Sequence, residues 1–270
     1  LPGEVVEGTP VAGLGGKKLS YCMSGHLQFW LSLAAIAGYF YPVLSASTAT
    51  TSEGVYSITS FAKIPLEKLY DNYTGLITAS CLFSTVLSVY LYISSFWKTS
   101  SGENKVLAHG GNTGNHFYDF FIGRELNPRL FGGLLDLKVF CELRPGLIGW
   151  AVLNFAMAQK QHMKHGSVSM SMALVAISQG LYVWDALYAE RAILSTMDIT
   201  TDGFGYMLAF GDLAWVPFIY SLQARYLVDH DPHMSTGPLC AIMAIQVIGY
   251  YIFRSANSEK DCFRRDPTNS

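Results

Sequence analysis

Carboxylates inside apolar segments are the residues of this sequence best suited to do chemistry. Asp185 and Asp212 each lie in a long apolar run, and Glu190 follows Asp185 by little more than one helical turn. A carboxylate in a membrane-spanning segment costs about 2.5 to 3.5 kcal/mol of insertion free energy, so such residues generally serve a functional site. A hydrogen-bonded pair that holds two helices together is the structural alternative for Asp185 and Asp212. Both interpretations stay open at this stage.

A tyrosine shares a helix face with one of these acids. Tyr182, Asp185 and Tyr188 follow one another at intervals of three residues, which places them on the same side of a helix. A phenol held beside a carboxylate in an apolar cleft can donate a proton to a substrate. We therefore predict four candidate catalytic residues: Tyr182, Asp185, Glu190 and Asp212.

Two cations near the end of the chain could bind phosphate groups. Lys260 and Arg264 are four residues apart and would share one helix face. Arginine forks onto phosphate oxygens, which suits a nucleotide. Basic residues in this position also anchor a helix against lipid headgroups, and the spacing taken by itself favours that anchor.

Other motifs add no further site. The sequence contains no phosphate-binding loop, no dinucleotide fingerprint and no HExxH motif, and Gly203-Phe204-Gly205 is too short to indicate phosphate binding. The seven histidines and five cysteines lack metal-ligand spacing, so no metal site is predicted. A net charge of −2 gives no general attraction to nucleic acid.

The elements that must position these residues are membrane-spanning helices. Of the 270 residues, 50% are apolar and 14% are charged, against about 25% charged in a soluble domain. A span needs about 20 apolar residues. The sequence predicts an all-α bundle with about six spans: 27–44, 73–97, 145–159, 168–188, 204–228 and 238–253.

The distribution of Lys and Arg predicts the orientation of the bundle. If the six spans alternate, thirteen of these residues lie on one side and five on the other. The richer side should be cytoplasmic, because short cytoplasmic loops carry an excess of Lys and Arg. Both chain ends and the long loop 98–144 would then face the cytosol, within a single domain 1–270.

Five stretches of the chain resemble one family of membrane enzymes. The sequence is similar to the sterol reductase family, which contains sterol C-14 reductases, the lamin B receptor and 7-dehydrocholesterol reductase. The similarity lies in residues 115–129, 136–150, 182–190, 197–212 and 249–264. Within it, Glu142-Leu143-Arg144-Pro145-Gly146 looks like the C-14 reductase and lamin B receptor branch.

The resemblance implies an NADPH-dependent enzyme of the endoplasmic reticulum membrane, and of the nuclear envelope in some members, that reduces the C14=C15 double bond of sterols. Its substrate would enter from the lipid phase, so membrane lipids are its expected neighbours, and its oligomeric state stays open. Lys260 and Arg264 match family positions that bind the NADPH phosphates. Tyr182 matches a family tyrosine that is a candidate proton donor beside the nicotinamide. The family's final third, which completes the NADPH pocket and holds an acidic partner for the tyrosine, is not matched, so the chain is expected to be a part of a longer protein.

The expected reaction is ionic. Tyr182 protonates C15, a cation develops at C14, and a hydride from NADPH quenches it. Asp185, Glu190 and Asp212 would either stabilise this cation or orient Tyr182. The alternatives are a Δ7-sterol reductase, a membrane scaffold like the lamin B receptor, and a carrier that uses the acids as an ion relay.

Overall fold

The computed structural model of the chain describes residues 3–11, 15–40, 66–98 and 105–265, with the backbone only at 37–40 and 265. The described part is mostly helical. Its strands are β1 (Glu4–Val11), β2 (Lys17–Met23), β3 (Arg129–Leu130) and β4 (Leu135–Asp136). Its α-helices are α1 (Gly25–Phe40), α2 (Glu67–Asp71), α3 (Tyr73–Ser94), α4 (His116–Ile122), α5 (Leu137–Cys141), α6 (Gly149–His165), α7 (Met170–Tyr188), α8 (Met197–Thr200), α9 (Tyr206–Phe210), α10 (Leu222–Asp229) and α11 (Thr236–Arg265). Two π-helical segments, Glu142–Ile148 and Gly211–Ile219, and one 3₁₀ segment, Glu190–Ser195, complete the part that forms the site.

Three helices of the described chain are long and apolar enough to cross a membrane. They are α3, α7 and α11, and α3 and α7 contain 22 and 19 residues. At 1.5 Å of rise per residue, such helices match a hydrocarbon layer of about 30 Å. The predicted spans 73–97, 168–188 and 238–253 are therefore confirmed as helices suited to a membrane, and the chain is a membrane protein.

The other three predicted spans are less regular, so a six-span bundle stays a prediction. Helix α1 covers 25–40, and residues 41–44 lie outside the described residues. Span 145–159 falls inside one continuous helix that runs from α5 through the first π segment into α6. Span 204–228 is divided into α9, the second π segment and α10. Each π segment contains a proline, Pro145 or Pro217, which lacks an N–H group and disturbs the regular α-helical ladder.

The prediction of an all-α chain missed two small sheets. Strands β1 and β2 form an antiparallel hairpin in which Glu4 pairs with Met23 and Val11 pairs with Lys17. Strands β3 and β4 form a second, two-residue hairpin inside the segment 98–144. That segment is therefore folded where the structure describes it, since α4 and α5 also lie within it. Because charged and glycine residues interrupt both regions, their apolar periodicity gave no strand signal.

Glycines allow two backbone segments to cross at van der Waals contact. Gly123 has a φ of +100°, and a Cβ at this position would lie 2.2 Å from the backbone nitrogen of Gly205. A Cβ at Gly203 would lie 1.8 Å from the carbonyl oxygen of Gly123. Only glycine fits such an approach. The Gly203-Phe204-Gly205 motif is thus a packing point that docks the start of α9 onto the end of α4.

The two π segments also meet closely, and α3 supports one of them. A Cβ at Gly146 would lie 3.0 Å from the carbonyl oxygen of Asp212. On α3, Ser84 and Ser88 are fully buried, and Ser80 Oγ donates a hydrogen bond of 2.5 Å to the carbonyl oxygen of Leu213. Small hydroxyl side chains allow this close helix packing inside a membrane. The arrangement fixes Asp212 beside the first π segment.

Candidate active site

A cavity of about 240 Å³ lies between α7, α11, the first π segment and the 3₁₀ segment. Helix α7 contributes Tyr182 and Asp185, and the π segment contributes Glu142. Helix α11 contributes Arg254 and Arg264. Acidic, basic and phenolic groups thus line this cavity, which we call the charged cavity.

Asp185 joins α7 to α11. Its carboxylate is buried, with 4% of the residue exposed. Tyr250 Oη donates a hydrogen bond to Oδ1 at 2.9 Å, and Arg254 Nη1 donates to Oδ2 at 3.3 Å. The interhelical partners of Asp185 are therefore on α11, while Asp212 lies in a separate cluster. Asp185 thus combines both interpretations: it lines the cavity, as a functional residue would, and it joins two helices by hydrogen bonds.

Tyr182 lies between two aromatic rings. The ring centroids of Trp150 and Phe253 are 5.6 and 5.7 Å from that of Tyr182. The residue is 43% exposed, and no hydrogen-bond partner for its hydroxyl lies in the described part of the chain. Its ring is held by packing while its O–H group stays available to a ligand.

A second, larger cavity borders Tyr182. It measures about 550 Å³, lies open between α6, α7, α10 and α11, and has mainly apolar walls that include Val175, Leu227 and Ile242. Sites for small organic ligands typically measure about 300 to 1,000 Å³ and are mostly apolar. Tyr182 lines both cavities, so it stands between an apolar compartment and a charged one.

Glu190 does not line either cavity. Its carboxylate is buried and forms an ion pair with Arg144 at 2.7 Å. The other carboxylate oxygen accepts a hydrogen bond of 2.7 Å from the backbone N–H of Gly25, the first residue of α1. Since helix N-termini attract negative charge, Glu190 fastens α1 to the site region.

Asp212 belongs to a buried cluster beside the charged cavity. One of its carboxylate oxygens is buried without a hydrogen-bond partner in the described chain, and Glu142, Asp198 and Lys138 surround it within electrostatic range. Lys138 is fully buried and donates hydrogen bonds to the carbonyl oxygens of Asp198, at 2.5 Å, and Asp202, at 2.6 Å. Burial lowers the pKa of Lys138 to about 8, against the nearby acidic charges. Lys138 thus holds the backbone carbonyl oxygens of Asp198 and Asp202 by direct hydrogen bonds.

The end of α11 turns a stripe of side chains toward the charged cavity. Arg254, Asn257, Asp261 and Arg264 recur at intervals of three or four residues and line it. Lys260 lies one turn before Arg264, at the edge of this stripe and outside the cavity lining. Of the two predicted phosphate ligands, the structure thus brings Arg264 to Tyr182 and Asp185 and places Lys260 beside them.

Sequence reasoning missed Arg254, Tyr250, Glu142 and Lys138. Arg254 was used only in the count of Lys and Arg residues on each side of the membrane. Its spacing of four residues from Tyr250 and ten from Arg264 could have indicated that it shares a helix with them. Glu142 was used only as part of a branch motif. No local pattern distinguishes Lys138 from an exposed lysine, because its acceptors are 60 and 64 residues away. Among the described residues, no group of three or more His, Cys, Asp and Glu side chains could hold a metal ion.

Comparison with known proteins identifies relatives along the whole chain. The chain is 48% identical over 269 residues to Delta(14)-sterol reductase LBR of Gallus gallus, covering 99% of this chain and 38% of that protein. It is 44% identical over 268 residues to Delta(14)-sterol reductase erg24 of Schizosaccharomyces pombe, covering 99% of this chain and 57% of that protein. It is 50% identical over 206 residues to Delta(14)-sterol reductase TM7SF2 of Mus musculus, covering 76% and 48%.

The chain thus spans roughly 40 to 60% of the length of these curated relatives. A sequence profile of one family matches residues 1–270. With this match and these identities, the chain belongs to the Ergosterol biosynthesis ERG4/ERG24 family.

Proposed function

We propose that this chain forms part of a Δ14-sterol reductase, which uses NADPH to reduce the C14=C15 double bond of a sterol intermediate. One observation carries the proposal: Tyr182 lies between the apolar cavity and the charged cavity. An apolar cavity of about 550 Å³ suits a rigid four-ring hydrocarbon, and cations suit a phosphorylated cofactor. The relatives named Delta(14)-sterol reductase support the same reaction.

The residues at the charged cavity fit one part of a dinucleotide. Arg264 lines the cavity, Lys260 lies one turn away, and both project from the same helix end. These two cations would hold phosphate groups. The cavity volume of about 240 Å³ is below the range of about 300 to 1,000 Å³ typical of drug-sized ligands, so it accommodates part of NADPH. Bound there, the cofactor would supply the hydride for C14.

The side chains of this chain prepare the alkene for that hydride. Tyr182 Oη donates its proton to C15, and positive charge develops at C14. The rings of Trp150 and Phe253, both tilted against the ring of Tyr182, keep the phenol in place. Asp185 is engaged with Tyr250 and Arg254, so it positions α11 and adds negative charge near the developing cation. Glu190 and Asp212 act from outside the cavity lining, as positioning residues.

The membrane arrangement completes the proposal. Helices α3, α7 and α11 cross the bilayer of the endoplasmic reticulum together with three further spans in 27–44, 145–159 and 204–228. Both ends of the chain face the cytosol, where the cofactor is dissolved. This arrangement agrees with the excess of Lys and Arg on that side.

The test uses the full-length protein in membranes from cells without their own Δ14 reductase. We expect NADPH-dependent conversion of a Δ14 sterol to its saturated product, followed by gas chromatography and mass spectrometry. Tyr182→Phe removes the donated proton and should lower kcat by about 100-fold or more, as for other general acids.

Tyr226→Phe is the matched control. Tyr226 is exposed on α10, stacks on His230 and lines neither cavity, so this variant should keep wild-type activity. Full activity of Tyr182→Phe would remove Tyr182 from the proton-donor role. A wild-type protein that leaves Δ14 sterols unchanged would refute the proposed reaction.

A further inference from the structure

A series of hydrogen-bonded polar side chains ends in the wall of the apolar cavity. Gln179 and Gln223 line this cavity and do not line the charged one. Trp150 Nε1 and Asn154 Nδ2 both donate to Gln179 Oε1, at 2.9 and 2.6 Å. Gln179 Nε2 in turn donates to Gln223 Oε1 at 2.8 Å. Four side chains from α6, α7 and α10 thus form one hydrogen-bonded series.

The direction of the series is fixed by its first member. An indole N–H can only donate, so the Gln179 atom that faces Trp150 must be its oxygen. The amide nitrogen of Gln179 then faces Gln223, which must accept with its own oxygen. The Gln223 amide nitrogen is left over, and no acceptor for it lies in the described part of the chain. The series therefore presents N–H donors to the cavity.

One member of this series lies deep in a membrane-spanning helix. Gln179 lies at the middle of α7, a helix suited to span the bilayer. Polar groups at such depth are expensive unless they are hydrogen-bonded. Trp150 and Asn154 satisfy Gln179. The amide nitrogen of Gln223, an exposed side chain in the cavity wall, has no acceptor in the described chain.

We infer that the amide pair Gln179–Gln223 binds the 3-hydroxyl group of the sterol substrate. The inference rests on the proposed function and deepens it. A sterol has a single polar group, on its first ring, while the C14=C15 bond lies in its fourth ring. Gln223, Gln179 and Tyr182 line the same cavity, and Tyr182 lies one helical turn beyond Gln179 on α7. A sterol held by its hydroxyl group at Gln223 would therefore extend along the wall that carries Tyr182. Gln223 is a positioning residue that sets which end of the sterol reaches Tyr182.

The experiment measures sterol binding and reduction separately with the full-length protein in lipid nanodiscs. Binding of a radiolabelled 3β-hydroxy Δ14 sterol and of its 3-deoxy analogue is measured without NADPH. One hydrogen bond to the hydroxyl predicts that wild type prefers the hydroxylated sterol roughly three- to tenfold. Gln223→Met keeps the size of the side chain and removes the donor, so this preference should fall to about one while binding of the 3-deoxy sterol is unchanged.

Two controls keep a folding defect apart from the expected effect. Ile242→Ala enlarges the same cavity and should weaken both sterols equally, which leaves the preference intact. Gln223 is exposed and is not the residue that satisfies Trp150 and Asn154, so its variant should fold. In the reduction assay, Gln223→Met should raise KM for the hydroxylated sterol and leave the KM for the 3-deoxy sterol unchanged.

The outcomes separate the inference from the proposed reaction. An unchanged preference in Gln223→Met overturns the inference, as does a wild type that binds both sterols equally or binds neither saturably. If such a protein still reduces Δ14 sterols, the proposed reaction stands. A preference that depends on Gln223 without any reduction supports the binding site and refutes the reaction.

Discussion

The contact of Asp185 with α11 can be tested by removing its cationic partner. In Arg254→Met the carboxylate of Asp185, whose side chain is 6% exposed, loses one of its two donors, and Tyr250 remains. Breaking a fully buried ion pair costs about 3 to 5 kcal/mol, and an exposed pair contributes about 0 to 1 kcal/mol. Because the Arg254 side chain is 37% exposed, we expect an intermediate loss of about 1 to 3 kcal/mol in the free energy of unfolding.

A double-mutant cycle isolates the contact. Asp185→Asn, Arg254→Met and the double variant are unfolded in detergent, and the coupling energy is taken from the three changes. We expect a coupling of about 1 to 2 kcal/mol, because the double variant leaves no unpaired charge. Helix α11 has mostly exposed side chains, so this contact matters for its docking. Hydrogen exchange of the α11 amides should accelerate in Arg254→Met.

Arg191→Met is the matched control for this cycle. Arg191 pairs with Glu4 at 3.7 Å, and both side chains are more than half exposed, so its loss should change stability by less than about 0.5 kcal/mol. If Asp185→Asn and Arg254→Met prove additive within about 0.5 kcal/mol, the two residues do not interact in solution and the contact between α7 and α11 must rest on other groups.

Two further predictions concern buried groups. Lys138 has a pKa of about 8 when folded and about 10.4 in an unfolded chain, so between pH 8 and 10 the unfolded chain binds more protons at this residue. The free energy of unfolding should therefore rise with pH in this window by up to about 1.4 kcal/mol per pH unit. Lys138→Met should abolish this rise, which is measured by unfolding the protein at a series of pH values. The same slope in wild type and Lys138→Met would contradict the burial of Lys138. Gly205→Ala places a Cβ 2.3 Å from the Gly123 nitrogen and should destabilise the protein by more than about 3 kcal/mol or prevent folding. Gly180→Ala is the control: open space surrounds Gly180, so this variant should keep or slightly raise the thermal midpoint of unfolding. Equal thermal midpoints of the two variants would show that the backbone crossing at Gly123 relaxes freely.

Local periodicity predicted the parts of the fold that depend on neighbouring residues. The long apolar runs predicted α3, α7 and α11 because a bilayer demands about 20 mainly apolar residues in succession. The interval of three residues placed Tyr182 and Asp185 on one face of α7, and both do line one cavity. The spacing of four residues between Lys260 and Arg264 was likewise a local pattern, and it predicted that both lie on one helix. The stretches that resemble sterol reductases predicted the family, which the comparisons confirmed.

Contacts between distant residues could not be predicted in this way. Glu190 was grouped with Asp185 because the two are close in the chain, but it turns to Arg144 and the first residue of α1. Gly203-Phe204-Gly205 carried no interpretable signal until Gly123 was found across from it. The β1–β2 hairpin was also missed, since charged and glycine residues interrupt its apolar pattern.

The sequence by itself determined which segments are apolar helices, which side chains share a face of each helix, and the family to which the chain belongs. The tertiary structure decided which faces meet. It paired Asp185 with Arg254, 69 residues away, and aligned the amide series of Gln179 and Gln223 along the apolar cavity. The reason is that helical periodicity arises from bonds within a few residues, whereas the partner of a buried polar group depends on how the whole chain packs.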